Sequence, residues 1–262
     1  MPDSYYQHLL EVAQNRGAGF IVLIDPDHLP LERLPRFVQA CEEASVDAFF
    51  IGGSLVHALA LEQYVAHLKQ ATQLPVIGFP GAVGQITPNL DAILYLSVIS
   101  SNNPEYLFRQ HIQAAPLIKR MGLEPIPTGY MLIESGRTTA AQFMSGALPL
   151  PRHKPELAAA TALAAEMMGM KLLFTDGGSG ADLPVPETLI QAIRQTCSIP
   201  LVVGGGLKTP EAIEQKVRAG ASFIVVGNAI EKNPDARYIA ELASAAHVGM
   251  PRPIEGFRRS LS

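Results

Sequence analysis

The stretch IPLVVGGGLKTPEAIEQKVRAGASFIVVG, residues 199–227, contains two short apolar runs separated by a segment of helix length. Both runs, IPLVVGG (199–205) and ASFIVVG (221–227), are rich in Val and Ile and end at glycine. Such continuous apolar runs are typical of strands buried on both faces of a parallel sheet. The segment between them begins Thr209-Pro210-Glu211, which offers an N-cap hydroxyl, a proline with a preset φ and an acid in the first turn. The stretch therefore predicts a strand, a helix and a parallel strand.

The same unit recurs along the whole chain. Six earlier runs have this character: FIVLID (20–25), DAFFIGG (47–53), LPVIGFP (74–80), DAILYLS (91–97), PTGYMLIE (127–134) and MKLLFTD (170–176). Further helix-length segments lie at 31–44, 61–72, 104–121, 155–169, 186–196 and 236–246. Eight such repeats predict closure into a (β/α)8 TIM barrel rather than an open sheet. We expect one α/β domain over residues 1–262, with residues 135–154 as an extended loop that covers the site.

Composition excludes several classes of protein. The 262 residues carry 20 Lys and Arg against 24 Asp and Glu, a net charge of −4, so the chain lacks the basic field that gathers nucleic acid. The two cysteines, Cys41 and Cys197, form no Cys-x-x-Cys pair and predict neither a disulfide framework nor a thiolate zinc site. No secretory signal and no run of about 18 apolar residues are visible, so we expect a cytoplasmic protein without a transmembrane segment.

Three neighbouring runs lead into glycine-rich turns. The sixth is followed by Gly177-Gly178-Ser179-Gly180, the seventh by Gly204-Gly205-Gly206, and the eighth by Gly227-Asn228. Glycine lets backbone N–H groups approach an anion closely, and phosphate commonly docks on these loops of a TIM barrel. One such loop could equally serve only to turn the chain. Three adjacent loops predict a phosphate site at strands 6, 7 and 8.

The first two runs end in oxygen-bearing side chains. The first continues into Asp25-Pro26-Asp27-His28 and the second into Gly52-Gly53-Ser54. A carboxylate and a hydroxyl from neighbouring strands suit Mg²⁺, which takes few protein oxygens and keeps the rest for water and substrate phosphates. A proline turn in which Asp27 caps the next helix explains the same residues, and both interpretations stay open here. We expect His28 to be a solvated loop residue.

Taken together, these motifs resemble one known family. The resemblance rests on IDPDH, FIGGS, PVIGFPG, AILYLSVISSNNPEYL, GYMLIESGRTT, PELAAATALAAEMMGMKLLFTDGGSGA, VVGGGLKTPEAI and IVVGNAIEKNP, one segment for each strand. The chain resembles the geranylgeranylglyceryl phosphate synthase family over nearly its whole length, and within it the larger subgroup of archaea and some bacteria. The strand-four segment and the alanine-rich run into strand six are the more specific parts.

The resemblance implies a prenyltransferase. It implies that an ether bond forms between the 3-hydroxyl of sn-glycerol 1-phosphate and a polyprenyl diphosphate, by family default geranylgeranyl, and that the lipid product is delivered to a membrane. It implies Mg²⁺ as cofactor, held by Asp25 and Ser54 with the donor diphosphate, and a groove for the lipid tail. The implied substrate-binding residues are Phe174, Thr175, Asp176, Gly177, Gly178, Ser179, Gly180, Gly205, Gly206, Gly227 and Asn228.

In one place the chain departs from the family pattern. The strand-six motif usually reads Tyr-Leu-Glu-Ala-Gly-Ser-Gly, whereas this chain has Phe174-Thr175-Asp176 before its glycines. The resemblance therefore implies Asp176 as the catalytic base, with a side chain shorter than glutamate by one carbon–carbon bond of roughly 1.5 Å. The tyrosine hydroxyl is absent at Phe174.

Two other functions fit a phosphate-binding barrel: a phosphosugar aldolase or isomerase, and a binder without turnover. A Schiff-base lysine should lie near the carboxyl end of a strand, but Lys171 lies at the start of the sixth run. We also expect a homo-oligomer. Met167, Met168 and Met170 could form its interface or could instead pack into the core between helix and barrel.

Overall fold

The structure, a computed structural model, describes residues 4–57 and 61–248. Eight parallel strands follow one another around a closed barrel, and the last pairs with the first. They are β1 Gly19–Ile24, β2 Ala48–Ile51, β3 Val76–Gly78, β4 Ala92–Val98, β5 Glu124–Leu132, β6 Leu172–Asp176, β7 Leu201–Gly204 and β8 Phe223–Val226. The predicted (β/α)8 TIM barrel is confirmed. The prediction of one domain over 1–262 stays a prediction, because residues 1–3, 58–60 and 249–262 lie outside the described residues.

Helices lie around the barrel and at both of its ends. They are α1 Tyr5–Arg16, α2 Leu34–Glu43, α3 Leu61–Ala71, α4 Gln110–Met121, α5 Ala140–Ser145, α6 Pro155–Met167, α7 Glu187–Thr196, α8 Pro210–Ala219, α9 Asn228–Lys232 and α10 Ala236–Ala246. A π-helical turn, Glu105–Arg109, leads into α4, and a 3₁₀ turn, Leu31–Arg33, leads into α2. Thr209 caps α8 as predicted, since its hydroxyl accepts from the Ala212 N–H at 3.3 Å. No helix in the described part of the chain is long and apolar enough to cross a membrane.

Side chains that alternate along each strand divide the core into two parts. In β6, Leu172 and Phe174 pack inside the barrel, whereas Leu173 packs between the barrel and the helices. This alternation follows from the period of two residues in a strand. It places every second residue at a strand's carboxyl end in the mouth of the barrel, where the candidate site lies.

Helix α1, which the sequence analysis did not predict, packs beneath the barrel interior. Leu9 and Leu10 are buried with the inward-facing side chains of the strands. The carboxylate of Glu124, the first residue of β5, accepts from the Ser4 hydroxyl at 2.7 Å and from the Tyr5 N–H at 2.6 Å. A carboxylate at these N–H groups compensates the unpaired donors and partial positive charge of a helix start.

Strand β5 begins three residues earlier than predicted, and it includes Pro125 and Pro127. The N–H groups of the odd-numbered residues of β5 point toward β6, as the bond from the Ile133 N–H to the Asp176 carbonyl shows. Pairing with β6 begins only at Thr128, so the two prolines occupy positions where no partner strand needs their missing N–H.

Two connections differ from a regular barrel. Between β3 and β4 the chain forms only the 3₁₀ turn Val83–Gln85 instead of an α-helix. After β5, the segment predicted as an extended loop contains α5, so that prediction is wrong for residues 140–145. Thr139 caps α5, and the Leu150 N–H donates to the Leu132 carbonyl, which ties the segment to the barrel.

Candidate functional site

A cavity of about 530 Å³ opens at the carboxyl ends of the strands. The glycine-rich loops after β6, β7 and β8 form one side of its wall, and the loops after β1 and β2 form the other. The structure brings most of the predicted site residues together in this wall. They are Asp25, Ser54, Phe174, Asp176, Gly178, Ser179, Gly180, Gly205, Gly206, Gly227 and Asn228.

Thr175 and Gly177 do not line the cavity. The Thr175 hydroxyl donates to the Val202 carbonyl at 3.2 Å, because its side chain points toward the helices when its neighbours in the strand point inward. The Gly177 N–H donates to the Gly204 carbonyl at 3.3 Å, so it is not available to an anion. We therefore leave Thr175 and Gly177 out of the candidate site.

Asp176 lies at the carboxyl end of β6 and is buried. One carboxylate oxygen accepts from the Tyr130 hydroxyl at 2.7 Å, and the other accepts from the Gly178 N–H at 2.7 Å. Burial raises the pKa of Asp176 above its ordinary value, while these two hydrogen bonds act to lower it. A fixed carboxylate of raised pKa is suited to accept a proton.

Tyr130 is a site residue that the sequence analysis missed. It lies in β5, where the register pairs Leu132 with Asp176, so Tyr130 enters the barrel one inward position below the carboxylate. Burial and the charge of Asp176 raise the pKa of Tyr130 well above its ordinary value, and the phenol therefore remains a donor. Alternation along the fifth run could have indicated that Tyr130 points into the barrel. Its contact with Asp176, however, depends on a strand register that the sequence does not specify.

Phe79, Tyr130 and Phe174 form what we call the aromatic floor of the cavity, and the buried Phe50 packs against Phe79 and Phe174. The rings of Phe79 and Phe174 lie nearly parallel, at 6° with centroids 5.2 Å apart, and Tyr130 lies 5.5 Å from Phe174. Phe174 is only 1% exposed. Its place in the site is therefore apolar packing beneath Asp176 rather than a polar contact.

Backbone conformation shapes the phosphate side of the cavity. Gly205 and Gly206 have φ of 78° and 74°, values that side-chain-bearing residues rarely adopt. A Cβ on Gly205 would lie 2.5 Å from a carboxylate oxygen of Asp176. The Ser179 hydroxyl donates to the Asn228 side-chain oxygen at 2.9 Å, which joins the loops after β6 and β8. The loops thus present backbone and two polar side chains around one space.

Asp25 occupies the opposite side. One of its oxygens accepts from the Asp27 N–H at 3.0 Å, and the other lies 3.5 Å from Nδ1 of His28. Burial raises the pKa of Asp25, while the Asp27 N–H and a charged His28 act to lower it. The Asp27 carboxylate accepts from the His57 N–H at 2.7 Å. Asp27 therefore joins the loops after β1 and β2, and the alternative that it caps the next helix is wrong.

Glu231, in α9, is a second carboxylate that the sequence analysis missed. It accepts from the Asp25 N–H at 3.0 Å and lies 3.6 Å from Nδ1 of His28, and burial raises its pKa. His28 is exposed, as expected, but its ring lies beside two carboxylates. No local pattern in the sequence indicated that α9 returns to the end of β1.

The charge of the cavity wall is mostly negative. Asp25, Asp27, Asp176 and Glu231 line it, and Lys208 is the sole Lys or Arg among the described lining residues. The described residues contain no group of three His, Cys, Asp or Glu side chains placed to hold a metal ion. A polyanionic ligand in this wall would therefore meet backbone N–H groups on one side and carboxylates on the other.

Lys171 lies at the other end of the barrel. Its carbonyl accepts from the Tyr6 hydroxyl of α1 at 2.8 Å, and its ammonium lies 5.7 Å from the centre of the Tyr6 ring. This position agrees with the expectation that Lys171 does not serve a Schiff-base reaction in the cavity.

The chain is similar to known proteins that share one name. A protein of Spirosoma linguale named geranylgeranylglyceryl phosphate synthase is 44% identical over 217 residues, 83% of this chain and 87% of that protein. One of the same name from Chitinophaga pinensis is 41% identical over 251 residues, 96% of this chain and 99% of that protein.

A solved structure agrees with these relatives. The (S)-3-O-geranylgeranylglyceryl phosphate synthase of Thermoplasma acidophilum, in complex with its substrate sn-glycerol-1-phosphate, is 30% identical with a TM-score of 0.89. The similarity covers 94% of this chain and 99% of that one. The PcrB family profile matches residues 10–246. The family resemblance in the sequence is thus confirmed, and the chain belongs to the PcrB family.

Proposed function

We propose that this protein transfers a polyprenyl group from its diphosphate to the 3-hydroxyl of sn-glycerol 1-phosphate, forming an ether bond and releasing diphosphate. One observation carries the proposal: a single cavity joins a glycine-lined anion site, a buried carboxylate and an oxygen-rich wall. The Thermoplasma relative binds sn-glycerol-1-phosphate, and relatives over 40% identical bear the synthase name. The donor is geranylgeranyl diphosphate by family default.

In this proposal the acceptor phosphate lies on the loops after β6, β7 and β8. Backbone N–H groups bind an anion without a cationic side chain when glycine allows close approach. Ser179 and Asn228 add hydrogen-bonding groups at the same place. The glycerol would then extend from the phosphate toward Asp176.

We further propose that Mg²⁺ serves the donor half of the site. Asp25 and Ser54 offer only oxygen, which suits this cation, and the excess of carboxylates in the wall would repel a diphosphate that carried no cation. Asp25 and Ser54 would hold the ion together with diphosphate oxygens. When bound, Mg²⁺ neutralises charge on the leaving diphosphate.

Asp176 is the proposed base. Its hydrogen bonds from Tyr130 and Gly178 fix the carboxylate in the cavity, and burial raises its pKa toward the working range of a base. It would take the proton of the glycerol 3-hydroxyl as that oxygen attacks the allylic carbon.

The decisive experiment incubates the protein with Mg²⁺, sn-glycerol 1-phosphate and prenyl diphosphates of increasing length. We expect a lipid-soluble phosphorylated product with at least one donor, and much less of it with sn-glycerol 3-phosphate. Failure with every donor, while sn-glycerol 1-phosphate still binds in calorimetry, would contradict the proposal and favour a binder without turnover.

Asp176→Asn tests the base directly. The amide keeps the size of the side chain but cannot take a proton, so we expect kcat to fall by roughly 10²- to 10⁴-fold. Binding of sn-glycerol 1-phosphate, measured by calorimetry, should change far less. The control Asp182→Asn alters an exposed aspartate on the same loop and should retain the parental kcat. Parental turnover by Asp176→Asn would contradict the assignment.

A cytoplasmic location, delivery of the product to a membrane and a homo-oligomeric state complete the proposal. The first is supported by the two free, buried cysteines. The last is supported by Met167 and Met168, which are 78% and 77% exposed at the end of α6, whereas Met170 packs against the core. Sedimentation of the protein, with Met167→Lys as the disrupting variant, tests the oligomer.

A further inference from the structure

Gln85 is a polar residue near the site for which neither the sequence nor the proposed chemistry gives a role. It lies in the 3₁₀ turn that replaces a helix between β3 and β4. Its side-chain nitrogen donates to the Gly53 carbonyl at 3.0 Å, and its side-chain oxygen accepts from the Gly81 N–H at 3.2 Å. One carboxamide thus bridges the loops that follow β2 and β3.

These two loops are in direct backbone contact. A Cβ on Gly81 would lie 2.4 Å from the Gly53 carbonyl oxygen and 2.8 Å from that of Ser54. On its other side Gly53 faces Asp25, because a Cβ at Gly53 would lie 3.3 Å from a carboxylate oxygen of Asp25. Gly53 is therefore held between Asp25 and the Gly81 loop, which Gln85 fixes in place.

The bond from Gln85 also sets the direction of the next N–H group. In a planar trans peptide the carbonyl and the following N–H point in opposite directions. Since the Gly53 carbonyl points toward Gln85, the Ser54 N–H points away from Gln85, and it donates to no described residue. Gly53 and Ser54 both line the cavity. An unpaired N–H in such a turn is a donor for an anion.

We infer that Gln85 is a positioning residue for the diphosphate of the prenyl donor. By holding the peptide between Gly53 and Ser54, it orients the Ser54 N–H and keeps Ser54 beside Asp25. The inference rests on the proposed function, because that function places a diphosphate on this side of the cavity. Gln85 itself does not line the cavity and contacts no reacting atom.

Two variants separate the contributions of Gln85. Gln85→Glu keeps an oxygen for the Gly81 N–H but places a carboxylate oxygen against the Gly53 carbonyl. Gln85→Ala removes both bonds without adding charge. The matched control Asn89→Asp adds the same charge in the same connection, where the Asn89 side chain donates to the Glu62 carbonyl at 3.3 Å.

The main measurement is calorimetric binding of inorganic pyrophosphate with Mg²⁺, beside binding of sn-glycerol 1-phosphate alone. We expect both Gln85 variants to bind Mg²⁺-pyrophosphate about tenfold more weakly. This is the size of effect expected when the Ser54 N–H is no longer oriented and its hydrogen bond to the pyrophosphate is lost. Affinity for sn-glycerol 1-phosphate should stay at the parental value. In turnover, KM for the prenyl donor should rise while KM for the acceptor does not, and Asn89→Asp should behave like the parent.

Parental pyrophosphate affinity in both variants, or an equal loss for both ligands, would overturn the inference. Lipid product formed at the parental donor KM by the variants would overturn it while leaving the proposed function intact. Pyrophosphate binding that depends on Gln85, in a protein that makes no lipid product, would support the inference and contradict the proposed function.

Discussion

Tyr130 and Asp176 form a pair whose hydrogen bond bears on the acid–base chemistry of the site. The Tyr130 hydroxyl is one of the two donors that act to lower the pKa of Asp176, against the larger effect of burial. A base acts only when ionised. With Asp176 as the proposed base, the strength of this one bond would help to decide the pH at which the site becomes active.

We predict that Tyr130→Phe shifts the acidic limb of the kcat/KM profile to higher pH. Loss of the donor removes an effect that lowers the pKa of Asp176, so the pKa rises and the carboxylate ionises later as pH increases. The control Tyr64→Phe removes another buried hydroxyl, which donates to the Leu29 carbonyl, and should leave the limb in place. An acidic limb that stays at the parental pH or moves to lower pH in Tyr130→Phe would argue against Asp176 as the base.

Site residues differed in how well the sequence predicted them. Asp176, Ser179 and Gly205 belong to continuous motifs at strand ends, and motifs of this kind are local. Tyr130 and Glu231 reach the same cavity through strand register and the path of α9, which are properties of the assembled barrel. Thr175 does not line the cavity, because the sequence motif names consecutive residues whereas a strand presents alternate side chains to the same face.

The glycine-rich loops give a prediction that compares two positions. A Cβ at Gly205 meets Asp176 at 2.5 Å where φ is 78°, whereas a Cβ at Gly227 meets the Leu23 carbonyl at 3.3 Å where φ is −118°. We expect Gly205→Ala to lower both Tm and turnover, and Gly227→Ala to weaken mainly the binding of sn-glycerol 1-phosphate. Thermal melts and calorimetry measure the two effects. Equal effects at both positions would contradict this account.

Helix α1 is fixed to the barrel by Glu124, and we predict that Glu124→Gln destabilises the fold by about 1 to 2 kcal/mol. The amide weakens the bonds that Glu124 accepts from Ser4 and Tyr5. Chemical denaturation measures the loss. The exposed Glu11 of α1 offers a control, since Glu11→Gln should leave stability unchanged, and kcat should be parental in both. A marked fall in kcat for Glu124→Gln would show that this end of the barrel influences the site.

Regular elements were predictable because their cause is local. Continuous apolar runs gave every strand, and Thr209-Pro210 gave the start of α8. The predicted start of β5 was too late because prolines are unusual inside a strand. Pro125 and Pro127 are tolerated here because no residue of β6 pairs with them. Helix α1 went unrecognised although Ser4, the buried Leu9 and Leu10 and the terminal Gly17 are helix signals.

Across the whole barrel, the proposed acceptor side of the cavity is built from the loops after β6, β7 and β8, and the proposed donor side from the loops after β1 and β2. We therefore predict that removal of Mg²⁺ with EDTA abolishes turnover and pyrophosphate binding but leaves sn-glycerol 1-phosphate affinity at its parental value. Asp25→Ala should behave in the same way in the presence of Mg²⁺. Calorimetry with each ligand separately makes the comparison. Loss of acceptor binding in EDTA would show that the two sides are not independent.

The barrel could be predicted from repetition, because eight similar units leave few ways to bury their apolar strands. The missing helix between β3 and β4 was consistent with the short spacing of those runs. The arrangement of carboxylates around Asp25 was not predictable, since it depends on contacts between residues more than 200 positions apart.

The aromatic floor also bears on which nucleophile attacks the donor. An activated allylic carbon reacts with water as well as with an alcohol, and hydrolysis would waste the donor as a free prenyl alcohol. An ordered water needs two to four polar partners, and the floor offers only the Tyr130 hydroxyl, which already donates to Asp176. A reacting carbon held above this floor would have no ordered water beneath it, and the proposed reaction would then favour the bound glycerol over hydrolysis.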